Sequence, residues 1–173
     1  MRRAPGYGLA VVAIAATIGC GEAPKVDVKA EEATLRGFDT MFGAAAAKKD
    51  VAAGVALYAA DATIMAPNAP AATGTEAIRA VWTELLKTPG VTLNVVPERI
   101  DIAAAGDMAS DRGSVELTFD TPQGHVKEID KYVEVWKKVD GQWKLFYDMW
   151  NSIAPPPAPA PAPAAAPVAA PKK

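Results

Sequence analysis

One cysteine and one histidine are all this chain of 173 residues offers as soft ligands or near-neutral titrating groups. A lone thiol closes no disulfide within the chain, so the fold stands on its apolar core alone. No imidazole–thiolate cluster is available either, which excludes zinc-type metal catalysis and leaves no metal or cofactor expected. Charge is nearly balanced: the formal net value is −2, or −4 once Arg2 and Arg3 are set aside. A chain with no basic excess is not built for a nucleic-acid partner or an anionic lipid surface. Aromatic residues are scarce at 7%, against 50% apolar residues inflated by alanine, so aromatic and branched positions locate the core better than bulk hydropathy does. A run of about 20 apolar residues, as a spanning helix needs, is also missing.

What is present begins at the N-terminus. Met1-Arg2-Arg3 is positive, Leu9 to Ile18 is apolar or small, and Gly19-Cys20 closes the segment. That is the layout of a secretory signal. A cysteine at the cut resembles the lipobox of bacterial lipoproteins, which implies lipidation of Cys20 and a membrane contact through that anchor only. Gly21 after it resembles the sorting preference for the outer membrane, facing the periplasm. Cutting after Ala13-Ile14-Ala15 or Ala15-Ala16-Thr17 is the rival and gives simple secretion. The expected organisation is therefore a signal peptide over 1–19, a tether over 20–29, one α+β domain over 30–153 and a Pro/Ala-rich tail over 154–173. About 125 residues suit one domain with one core. The tail, as in Pro155-Pro156-Pro157-Ala158-Pro159, cannot pack a core and is expected to extend as polyproline II.

Within the domain, Leu35, Phe38, Phe42 and Ala45 repeat at three and four residues, which predicts a helix from about Ala30 to Lys49. Asp50 is a good N-cap for a short helix through Val51, Val55, Leu57 and Tyr58. Thr75 is expected to cap a third helix carrying Ile78, Val81, Trp82, Leu85 and Leu86, stopped by Thr88-Pro89-Gly90. Thereafter the period is two. Val91, Leu93 and Val95 lead to Pro97 as an edge or bulge, and Gly106-Asp107 turns toward Val115, Leu117 and Phe119. Pro122-Gln123-Gly124 turns into a long strand to Val139, and Asp140-Gly141 turns into Gln142 to Trp150. Three helices followed by an antiparallel meander give an α+β domain. Asp61 is read as capping a turn after a helix.

The order Tyr58-x-x-Asp61-x-x-x-x-x-Pro67, Gly74-x-x-x-Ile78-x-x-x-Trp82, Tyr132-x-x-x-Trp136 and Asp140-Gly141-x-Trp143-x-x-x-x-Asp148-x-Trp150 resembles the SnoaL-like branch of the nuclear transport factor 2-like superfamily. The resemblance implies the ketosteroid isomerase fold, a cone in which a curved antiparallel sheet wraps three N-terminal helices around a pocket. Carried over residue by residue, it does not imply the steroid isomerase reaction. The place of the carboxylate base before Pro67 holds Ala66, the helix-1 tyrosine falls on Phe42, and only the second acid has a match, at Asp130. His125 stands in a turn and is read as solvated rather than catalytic.

Period two places Asp130, Tyr132, Glu134 and Trp136 on one strand face, and Phe146, Asp148 and Trp150 on one face of its neighbour. With the Asp130 match, these faces line the pocket together with Phe42, Tyr58, Met65, Trp82 and Leu117. Carboxylates among aromatics suit a cationic or polyhydroxylated small molecule. A register one residue out would instead turn the acids to water. The expected function is a lipid-anchored, non-enzymatic small-molecule-binding domain of the cell envelope. The alternatives are an isomerase, cyclase or dehydratase using Asp130, Glu134 or Asp148, and a structural module with its pocket filled by Trp82 and Met65. A homodimer through Val133, Val135 and Val139 on the opposite sheet face is expected as well.

Overall fold

The computed structural model describes residues 26–154. The expected signal peptide, Cys20 and the Pro/Ala-rich stretch lie outside the described residues. Helix α1 runs Val28–Lys48, entered at Asp27, whose carboxylate accepts the Ala30 N–H at 3.1 Å, and left through Lys49 in the left-handed conformation. It therefore starts two residues inside the expected tether. Helix α2 (Val51–Val55) is capped by Asp50, which accepts the Ala53 N–H at 2.9 Å.

The chain then departs from the expected three helices in a row. Tyr58–Met65 is a strand, β1, and Ala72–Thr73 is a short strand, β2, ahead of helix α3 (Thr75–Lys87). Tyr58 is thus the first strand residue rather than the end of a helix, and Asp61 is an exposed strand residue rather than a turn cap. Alanine-rich Tyr58-Ala-Ala-Asp-Ala-Thr-Ile-Met shows little alternation, because its neighbours bury it. The N-cap of α3 is Gly74 at φ 87°, with no side-chain cap; Thr75 is already helical. Four long strands follow: β3 (Thr92–Ile102), β4 (Met108–Thr121), β5 (Gly124–Val139) and β6 (Gln142–Ser152).

The sheet order is β2-β1-β6-β5-β4-β3. Every pairing is antiparallel except β1 with β6, which is parallel. Register shifts interrupt the ladders at Pro97/Arg99, at Val135/Trp136 and between Tyr58 and Thr63. Each inserted residue bends its strand and raises the local twist, which curls the sheet without closing it. The concave face receives α1 against β3, while α3 packs on α2 and β1.

The core is an aromatic stack at the centre of this curve. Phe42 lies parallel to Trp82 at 6.0 Å and edge-on to Trp136 at 6.4 Å, and Phe38 meets Trp136 at 5.2 Å. Leu35, Ile64, Ile78 and Leu145 fill the remainder. The narrow end is sealed by a polar knot: Trp143 Nε1 donates to Glu31 at 2.6 Å and Lys138 pairs with the same carboxylate. The Lys138 bond and the Trp143 bond hold Glu31 below the usual carboxylate range.

Candidate functional site

The open end of the curve is a hollow of about 690 Å³ out to its mouth, of which about 100 Å³ is wide enough to admit a water molecule. Its walls are apolar and come from four elements: Phe42 of α1, Val81, Trp82 and Leu85 of α3, Leu93 and Val95 of β3, and Val115 and Leu117 of β4. Carboxylates gather on one side, where β5 and β6 run antiparallel with Glu134 opposite Asp148, Tyr132 opposite Trp150 and Asp130 opposite Ser152. Tyr58, at the start of β1, donates its phenol O–H to Asp148 Oδ2 at 2.6 Å.

Phe42, Tyr58, Trp82, Leu117, Asp130, Tyr132, Glu134, Asp148 and Trp150 all line this hollow. Three residues expected there do not. Met65 lies one residue past Ile64, and period two turns it to the other face while Ile64 points in. Trp136 is fully buried beneath the hollow, closed over by Phe38 and Phe42. Phe146 is the extra residue of the β6 bulge: Trp136 pairs with Leu145 and Val135 with Tyr147, so Phe146 opposes nothing. It packs instead against Tyr147 and beneath the Lys137 ammonium, 3.4 Å from the ring centroid. The bulge also explains the inward face of β6, which is Trp143 and Leu145 before it and Asp148 and Trp150 after it. Ala66 leaves the isomerase base position without a carboxylate, and His125 is exposed beside Asp120 at 2.8 Å and does not line the hollow.

Burial governs the titration of the acids. It pushes Asp148 up to about 6, against the pull of the Tyr58 hydroxyl. Burial raises Glu134 further, and the charges of Asp148, Asp39 and Asp111 add to it, opposed only by the Trp136 Nε1–H at 3.0 Å. Asp130 is raised by burial, and its Oδ1 has no hydrogen-bond partner. Across the pocket edge Asp148 stands opposite Glu134, two acids that burial makes harder to ionise and whose charges oppose each other. A cation between them relieves that cost.

Two further buried acids stand behind Glu134, and the sequence reading missed both. Asp39 sits within the apolar stripe of α1, four residues after Leu35 and three before Phe42, where a charge is out of pattern. Asp111 becomes visible when the alternation Val115, Leu117 is run backward along β4 through Gly113. Burial pushes Asp39 up to about 7, helped by the Asp111 charge and opposed by Arg36. Burial lifts Asp111 to about 6, opposed by the Tyr132 hydroxyl, which donates to its Oδ1 at 3.1 Å. One oxygen of each of Asp39, Asp111 and Glu134 lies within 4.8 Å of the others, a set of the kind that holds a hard cation.

The SnoaL-like domain profile matches residues 38–146 of the chain. Among solved structures, a ketosteroid isomerase-like protein from Erwinia carotovora atroseptica superposes with a TM-score of 0.64 at 20% identity, covering 72% of this chain and 98% of that one. A nuclear transport factor 2-like superfamily protein from Salmonella enterica serovar Typhimurium gives 0.64 at 16% identity, covering 76% and 96%. A protein from Streptomyces avermitilis, named as a candidate dehydratase of the same family, gives 0.62 at 12% identity, covering 73% and 99%. At these identities the likeness is one of fold. No curated protein matches the chain.

Proposed function

The chain belongs to the SnoaL-like domain family, and on that premise we propose that it binds a small, largely apolar molecule by a cationic end. The observation that carries this reading is the two-sided hollow, apolar on its walls and acidic along the β5–β6 edge, where Asp130, Glu134 and Asp148 converge. Apolar walls supply affinity in proportion to the area they dry. Crowded carboxylates supply orientation, because a cation relieves both their lost hydration and their mutual repulsion. A hollow with free space argues against a purely structural module, since Trp82 forms a wall without filling it and Met65 lies elsewhere.

Trp82 and Trp150 line the hollow and report occupancy by fluorescence. A series of aromatic amines is titrated against neutral isosteres of equal volume. The amines bind at least about tenfold more tightly, a difference of 1.4 kcal/mol, and Asp148→Asn removes the difference. Equal affinity for amine and isostere overturns the reading.

A second reading is favoured by one specific contact. Tyr58 holds Asp148 while Glu134 faces it across the strands, two acids side by side of which only Asp148 has the phenol donor. An isomerase or dehydratase working by proton transfer would use this pair, Asp148 as base and Glu134 as acid; the Streptomyces neighbour's name is in keeping with that class. Turnover of a bound ligand that is lost in Glu134→Gln while binding survives would favour it. In either case the proposal has the domain outside the cytoplasm, tethered through a lipid on Cys20.

A further inference from the structure

We propose that Asp39, Asp111 and Glu134 form a binding site for a hard divalent cation such as Ca²⁺, set between α1 and the sheet. Three elements bring the acids together: Asp39 comes from the buried stripe of α1, Asp111 from β4 and Glu134 from β5. All three are at least 95% buried, at 3%, 0% and 5% exposure. Acidic clusters on a surface are common and mean little; this one is in the interior.

The hydrogen bonds distinguish this cluster from a set of solvated acids. Both carboxylate oxygens of Asp39 and Oδ2 of Asp111 have no hydrogen-bond partner. A buried oxygen without a donor carries its full desolvation penalty, and folds rarely tolerate three in one place. The donors that are present each serve one oxygen: the Tyr132 hydroxyl donates to Asp111 Oδ1, and Trp136 Nε1–H donates to Glu134 Oε2. Ring donors on one oxygen, leaving the other free, are how supporting residues orient carboxylate ligands around a metal. Arg36 is the nearby cation, but its N–H groups go to Glu32 and to the Pro97 carbonyl rather than to the cluster.

The ligand chemistry selects the kind of ion. One oxygen of each acid lies within 4.8 Å of the other two, close enough for a single hard cation to touch all three. Oxygen-only ligation by carboxylates suits Ca²⁺ and excludes the softer metals that the lack of histidine and cysteine already disfavours. Glu134 also belongs to the pocket wall.

Terbium luminescence tests the site directly, since Tb³⁺ takes Ca²⁺ positions and Trp136 lies against the Glu134 carboxylate as an antenna. With the purified full-length chain and excitation of tryptophan, emission saturates at one ion per chain and is displaced by millimolar Ca²⁺. Ca²⁺ alone raises the melting temperature, and chelator reverses the rise. In Asp39→Asn the emission at saturation falls at least about tenfold. That variant removes a buried unpartnered charge and so folds, and its melting temperature no longer responds to Ca²⁺. Asp101→Asn, at an exposed acid of β3, leaves the emission unchanged. The proposal is overturned if emission does not saturate, if Asp39→Asn matches the wild type, or if Ca²⁺ leaves the wild-type melting temperature where it was. In that last case the acids hold protons instead of a metal.

Discussion

At the scale of single residues, Asp39 is a costly side chain for the fold to bury. Its carboxylate is buried on α1 without a donor, and its pKa moves from 3.8 in the unfolded chain to about 7 in the folded one. An acid raised in this way is protonated in the folded state over a range where the unfolded chain has released the proton. Its contribution to stability is complete below 3.8, declines as pH rises toward about 7, and stays lost above that. Asp39→Asn cannot ionise, so in chelator-treated protein the variant gains on the wild type by on the order of a few kcal/mol at alkaline pH. The gain shrinks to little in acid. Denaturant melts across the pH range read this directly; a pH-independent difference would mean that Asp39 titrates in the fold as it does in the unfolded chain.

At the scale of elements, the pocket depends on how closely α2 approaches α3. Gly54 sits on α2 against the Trp82 ring, and a Cβ there would lie 2.6 Å from ring carbons. Gly54→Ala must therefore push Trp82 toward the hollow or tilt α2 away. The expected cost is about 1–3 kcal/mol, the usual range for overpacking, with ligand affinity falling as the wall moves. Equal melting temperatures for variant and wild type would mean that the α2–α3 contact is slack. The β6 bulge acts at the same scale. By adding Phe146 without a partner, it bends the strand and lets Leu145 and Asp148 both point inward, three residues apart, which unbroken alternation does not allow.

At the scale of the whole molecule, the outer sheet face exposes Ile129, Val133, Tyr147 and Met149 at 37–43% each. Together they make an apolar surface of the kind a monomer seldom leaves open. We propose a homodimer across this face. Val133→Glu then shifts sedimentation from dimer to monomer while the melting curve of the isolated fold changes little; a wild type already monomeric at high micromolar concentration refutes it. Anchoring belongs to the same scale. Cys20→Ala moves the chain from the membrane to the soluble fraction, and a wild type already soluble with its N-terminus elsewhere removes the lipid from the account.

By itself the sequence determined the fold family and the helices and long strands that its periods mark. The alternation through Asp130, Tyr132 and Glu134 puts these residues on one face of β5 but left open which face turns inward; the tertiary structure turns that face to the hollow. Strand β1 shows little alternation of its own, since its burial comes from β6 alongside and the helices above it. Phe146 follows the period of its strand and yet leaves the pocket, because a bulge is set by the mismatch between two strands and not by either alone. Trp136 shares the pocket face but is covered by Phe38 and Phe42 from 94 or more residues away in sequence. The meeting of Asp39, Asp111 and Glu134 was decided by tertiary structure only: three acids from a helix and two strands converge when α1 lies across the curved sheet, and no one segment carries a pattern of all three.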